Sequence, residues 1–124
     1  MKLILMKSKI HKARITDAVI DYEGSLEIDT ALLRQARMRP YERILVVNAT
    51  NGERLETYAI PGAEGSGVMR LNGAAAHKGR PGDEITVMSF AVCTEDEAAA
   101  WQPTVLILDN QTNRVVQRKG APGA

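Results

Sequence analysis

Aromatic side chains are scarce in this chain, at 4% of 124 residues. A core built on stacked rings is therefore excluded, and Tyr22, Tyr41, Tyr58, Phe90 and Trp101 each call for a specific explanation. Cysteine is scarcer still. Cys93 stands alone, so no internal disulfide can form, a cytoplasmic location fits, and the residue reads as a small apolar core side chain. Charge of one sign is lacking too: 16 Lys and Arg face 15 Asp and Glu for a net charge of +1, which argues against nucleic acid as the partner. No apolar run approaches the ~20 residues of a membrane span. The opening Leu3-Ile4-Leu5-Met6 run has no cleavage site after it and is no signal peptide.

What is present reads as one mainly β domain over residues 1–124. Strands are expected at 3–6, 10–20, 44–47, 55–60, 68–71, 85–92, 105–108 and 114–117. Asn51-Gly52 between two of them is a hairpin signal, because that pair accepts positive φ. Asp29 is a plausible N-cap for a helix over 30–37 that Pro40 stops. Thr94-Glu95-Asp96-Glu97 is a capping box for a second short helix ended by Pro103. Residues from about 118 to 124 are expected to form a disordered tail. Many short strands with two small peripheral helices point to a compact barrel, and periodicity does not say which.

The bond between Gly24 and Ser25 carries the chemistry. A serine hydroxyl after glycine lies close to the preceding carbonyl, and glycine leaves that carbonyl uncovered. Attack there turns the amide into an ester; elimination and hydrolysis then leave a pyruvoyl group at position 25. Alone, Gly-Ser is a common turn pair and reads as a surface loop. Its company changes the reading. Lys9-Ile10-His11, Tyr22-Glu23-Gly24-Ser25, Thr50-Asn51-Gly52, Arg54, Thr57-Tyr58-Ala59-Ile60 and Asn72-Gly73-Ala74-Ala75-Ala76-His77 together resemble the pyruvoyl-dependent aspartate 1-decarboxylase family, from about Lys9 to Pro103. The loop at 61–67 and the tail after Gln111 carry no matching motif.

The resemblance implies a six-stranded double-psi β-barrel, a homotetramer with active sites between subunits, and conversion of L-aspartate to β-alanine and CO2 for pantothenate and coenzyme A. It implies self-cleavage into 1–24 (β chain) and 25–124 (α chain), assisted in some bacteria of the family by a maturation factor. The cofactor is then the pyruvoyl group from Ser25, with neither pyridoxal phosphate nor metal. His11 and His77 lack matching carboxylate spacing and read as no metal site.

Ser25 and Tyr58 are the expected catalytic residues, the first as source of the ketone and the second as acid toward the substrate α carbon. For self-processing the resemblance points to Gly24, Ser25, Thr57, His11, Tyr22 and Asn72. For substrate it points to Lys9, Arg54, Thr57 and the backbone of Gly73, Ala74 and Ala75. Arginine grips a carboxylate through paired hydrogen bonds, although Arg54 beside a hairpin turn also reads as a solvated charge. The small residues at 73–76 can present N–H groups to an anion, or simply make a tight, well-packed turn. Thr57 and Tyr58 alternate along a strand and so face opposite ways, which fits a site shared by two subunits. An uncut chain is expected to carry unfavourable backbone geometry near Gly24. Two other readings are an N-terminal-serine hydrolase and a non-enzymatic β-barrel binding module.

Overall fold

The structure, a computed structural model, describes residues 1–120. Nine strands form in chain order among the described residues: β1 (Lys2–Arg14), β2 (Asp17–Val19), β3 (Ser25–Asp29), β4 (Arg43–Asn48), β5 (Arg54–Gly62), β6 (Met69–Asn72), β7 (Glu84–Thr94), β8 (Thr104–Asp109) and β9 (Arg114–Lys119). They make one mixed sheet in the order β2-β6-β3-β5-β4-β7-β1-β8-β9. Helix α1 (Thr30–Gln35) follows β3, α2 (Glu95–Ala99) follows β7, and a 3₁₀ helix spans Gly73–Lys78. The mainly β class with small helices is as expected. No helix of the described residues is long and apolar enough to cross a membrane.

Local chemistry explains most boundaries. The Asn51-Gly52 hairpin forms between β4 and β5, with Gly52 at φ +79°. Asn48 Oδ1 accepts from the Thr50 and Asn51 N–H groups and closes that turn. The capping box of α2 is complete: the Thr94 N–H donates to Glu97 and the Glu97 N–H to Thr94. Asp29 caps α1 as read, accepting from the Ala31 N–H at 2.8 Å.

Three boundaries differ. The expected strands at 3–6 and 10–20 are one strand as far as Arg14, with Ser8 packed inward at 0% exposure. Its pairing with β7 shifts register twice, between Met6 and Ser8 and again around Lys12, whose φ is +62°. Helix α1 stops at Gln35 rather than 37, because Arg37 turns left-handed (φ +62°) and the Met38 N–H reaches back to the Leu33 carbonyl. That is a C-terminal cap made before Pro40 is reached. At the far end β9 continues through Arg118 and Lys119, paired with Leu106 and Val105, so the expected tail does not begin at 118. Residues 121–124 of that expectation lie outside the described residues.

β3 was not foreseen at all. It lies between β5, to which it is parallel, and β6, to which it is antiparallel. β5 in turn changes partner along its length. Residues Arg54 to Tyr58 pair with β4, and Ala59 to Gly62 pair with β3. The core is aliphatic, as the shortage of rings requires: Ile10, Ile15, Leu26, Ile28, Ile44, Met69, Leu71, Ile85 and Leu106 are its largest fully buried members. Cys93 is buried and free.

Candidate active site

The Gly24-Ser25 bond sits at the point where an exposed loop becomes a buried strand. Gly24 is exposed and Ser25 is 1% exposed. Ser25 opens β3 and is the register partner of Asn72 at the end of β6. That pairing brings the two side chains together: Asn72 Nδ2 donates to Ser25 Oγ at 3.1 Å, and Ser25 Oγ lies 3.4 Å from the Glu23 carbonyl it faces as donor. Asn72 Oδ1 is buried with no hydrogen-bond partner among the described residues. A buried amide oxygen left so is uncommon in a folded protein.

The chain then turns at Gly73, whose φ is +68°. A Cβ on Gly73 would lie 2.7 Å from the Tyr22 carbonyl oxygen and 2.8 Å from both Gly24 Cα and Gly24 N. Only glycine lets the backbone at 73 press against the scissile segment. Gly24 itself is not in the left-handed region. The backbone demand expected at Gly24 is therefore met across the gap, at Gly73. A cleft of about 300 Å3 opens here, lined by Gly24, Leu55, Glu56, Thr57, Ala74, Ala75 and Lys78. Four of the residues singled out in sequence, from three separate segments, share it. Gly73-Ala74-Ala75 form the first turn of the 3₁₀ helix, and Tyr22 stays 60% exposed, contributing its backbone to the contact.

A second group stands on the other side of the sheet. In β5, Thr57 is opposite buried Ile44, whereas Tyr58 is opposite exposed Arg43. Side chains alternate, so Arg54 and Tyr58 share the outward face and Thr57 points inward, as the sequence implied. The register Lys9–Met88, Met88–Leu45, Leu45–Glu56 puts Lys9 on that same outward face. His11 joins it through a 3.2 Å hydrogen bond between its Nδ1 and Thr86 Oγ1. Burial, then the positive charges of Lys9 and Lys12, hold the His11 imidazole below its ordinary pKa. Arg54 has no ion-pair partner among the described residues, whereas Arg43 nearby is paired with Glu56. Within one chain, then, Lys9, His11, Arg54 and Tyr58 are not gathered around Ser25.

Two features escaped sequence reasoning. Lys78 lines the cleft and is held by Glu53 at 2.6 Å; a lysine just past a Gly-Ala run carries no local mark of that position. Asp29 does more than cap α1, since its carboxylate also accepts from the Gly65 and Gly67 N–H groups at 2.9 and 2.8 Å. That organises the glycine-rich 61–67 loop, which has a structural explanation in place of a motif. Among the described residues no group of three or more His, Cys, Asp or Glu is arranged to hold a metal.

Known proteins resemble this chain along most of its length. The family model described as aspartate decarboxylase matches residues 1–116. The aspartate 1-decarboxylase of Chlorobium phaeobacteroides is 57% identical over 113 residues, which cover 91% of this chain and 86% of that one. That of Myxococcus xanthus is 52% identical over 125 residues, covering 99% and 95%, and that of Desulfotalea psychrophila 50% over 115, covering 91% and 97%. Neither the hydrolase reading nor the binding-module reading gains support from these relatives. Similarity of this extent, across nearly the full length of each partner, makes this chain a member of the aspartate decarboxylase family.

Proposed function

We propose that this chain cuts itself between Gly24 and Ser25 and then removes the α-carboxylate of L-aspartate, releasing CO2 and β-alanine for pantothenate and coenzyme A synthesis. The observation that carries the reading is the convergence of Gly24, Thr57, Ala74 and Ala75 on one cleft beside a buried Ser25 that Asn72 holds.

Self-cleavage uses only groups of the chain. Ser25 Oγ attacks the Gly24 carbonyl carbon, the peptide C–N bond breaks, and the hydroxyl proton passes to the freed nitrogen, leaving an ester. Thr57, on the inward face of β5, offers its hydroxyl to the oxyanion of the tetrahedral stage. Asn72 holds the Ser25 side chain, Tyr22 helps set the segment through its backbone, and His11, on the opposite face of its own sheet, assists from another copy of the chain. Elimination of the ester frees the Gly24 carboxylate, and hydrolysis releases ammonia.

Asn72 Nδ2 holds Ser25 Oγ, the oxygen that becomes the ester oxygen and then leaves with the Gly24 carboxylate. The pyruvoyl group supplies an electron sink for the charge left on the substrate α carbon. Lys9 and Arg54 bind the carboxylate that stays, with the N–H groups at Gly73, Ala74 and Ala75 as further donors. Tyr58 gives its phenolic proton to the α carbon after CO2 departs.

Because Arg54 and Tyr58 face away from Thr57 on the same strand, the complete site is formed between copies of the chain. The proposed assembly is a homotetramer of six-stranded double-psi barrels. A maturation factor enters this reading only for a purified chain that stays whole.

Intact mass of the purified protein is the test. Fragments 1–24 and 25–124 are expected, the larger lighter by one ammonia than a fragment that begins with serine. Ser25→Ala stays whole, and the cut protein makes β-alanine from L-aspartate without added pyridoxal phosphate. A cut Ser25→Ala chain, or a free N-terminal serine on the active protein, overturns the mechanism.

A further inference from the structure

Tyr41 combines two features that rarely meet. Its side chain is 76% exposed, although the chain has few aromatic residues, and its φ is +71°. Bulky residues seldom occupy the left-handed region, and such backbone persists only where the surroundings hold it. Here the surroundings do. The Tyr41 N–H donates to the Ala59 carbonyl at 2.7 Å, and the Ala59 N–H donates to the Glu42 carbonyl at 3.0 Å. The Glu42 carboxylate pairs with Lys7 at 2.6 Å and accepts from the Arg39 N–H at 3.0 Å. These bonds clamp residues 41 and 42 to Ala59, the next residue after Tyr58.

The clamp has a target. The Tyr41 and Tyr58 ring centroids are 6.2 Å apart with the planes tilted by 34°, the only aromatic pair among the described residues. That separation lies within the range of attractive ring pairs. Tyr58 is half-buried on the outward face of β5, the face that also carries Arg54. A phenol on such a face has freedom that a proton donor must give up, and the Tyr41 ring limits that freedom from one side.

We propose that Tyr41 is a positioning residue: a strained, clamped loop presents its ring to Tyr58 and fixes the direction of the Tyr58 phenol for proton delivery. The inference rests on the reading of Tyr58 as the proton donor.

Asparagine tolerates the left-handed region, so Tyr41→Asn removes the ring while sparing the backbone. Tyr41→Gly is a second ringless variant that accepts the same φ, and Tyr41→Phe keeps the ring. Each is compared with the parent for self-cleavage on a denaturing gel, thermal unfolding, and kcat and KM with L-aspartate. Complete cleavage and parental unfolding are expected throughout. Tyr41→Phe keeps the parental kcat, whereas Tyr41→Asn and Tyr41→Gly lose about 2- to 12-fold in kcat with KM unchanged, the worth of one aromatic pair. In a Tyr58→Phe background, Tyr41→Asn has no further effect, because the group it positions has lost its proton. Parental kcat in both ringless variants overturns the proposal. An additive loss in the double variant, with Tyr58→Phe itself impaired, also overturns it and leaves the Tyr58 reading intact. Parental kcat in Tyr58→Phe overturns the Tyr58 reading, and the role of Tyr41 falls with it.

Discussion

The two faces of β5 are organised on different terms. Inward, Thr57 joins Gly24, Ala74 and Ala75 in a cleft beside Ser25 and Asn72, each placed by strand register or by close backbone contact. Outward, Lys9, Arg54 and Tyr58 are aligned by register on the opposite face, and Arg54 has no ion partner among the described residues. The inner group can do intramolecular chemistry with what one chain supplies. On the proposed reading, the outer group is half of a surface that another copy completes. Maturation and turnover are therefore expected to fail separately, through different residues.

Neighbouring positions give the sharpest test of that division. Tyr58→Phe should cleave fully yet lose about 10²–10⁴-fold in kcat, the usual worth of a positioned general acid. Thr57→Val should do the reverse, with slow or absent cleavage from losing about 2.7–4 kcal/mol of oxyanion stabilisation. One gel and one assay on each variant suffice, and a Tyr58→Phe chain that fails to cut would erase the distinction between the faces.

Gly73→Ala attacks the inner group through its backbone. The new Cβ would fall within 3 Å of three backbone atoms of Tyr22 and Gly24, at a φ of +68°. Overpacking and left-handed strain together are expected to lower stability by about 2–5 kcal/mol, seen as a lower denaturation midpoint together with lost cleavage. Ala74→Gly, one position on, should leave both nearly unchanged. Arg54→Ala touches only the outer group and should have a smaller effect than Tyr58→Phe. Cleavage and unfolding stay parental, while kcat/KM for L-aspartate falls by about tenfold through KM, as one charged hydrogen-bond donor is lost. Unchanged kinetics would remove Arg54 from substrate binding.

How much of this could be read in advance follows from the range of the interactions involved. The Asn51-Gly52 hairpin, the Asp29 cap and the Thr94 capping box depend on residues within a few positions of one another, and all three were legible. The opposite facing of Thr57 and Tyr58 followed from strand alternation alone. β3 was missed because Ser25-Leu26-Glu27-Ile28-Asp29 is short, with only Leu26 and Ile28 apolar, and becomes a strand through two partners distant in sequence, β5 and β6. The position of the unusual backbone was misjudged for a related reason. The local sequence marks Gly24 as permissive, but the close approach that demands glycine comes from Gly73, across a register that no local pattern reveals. The 61–67 loop had no motif because its order comes from Asp29, more than thirty residues earlier.

The course of β1 bears on what the molecule becomes once cut. Thirteen residues long, it runs through the interior of the sheet between β7 and β8, and Ile10 and Ala13 are wholly buried. Every one of those residues belongs to the piece that cleavage at Gly24 would sever. The product of the proposed cleavage would be a split protein in which a 24-residue peptide threads its larger partner. Its release would open three strand interfaces at once, β1 with β7, β1 with β8 and β2 with β6. The peptide can therefore leave only by unfolding, and the joint made by breaking a covalent bond is as durable as the fold itself.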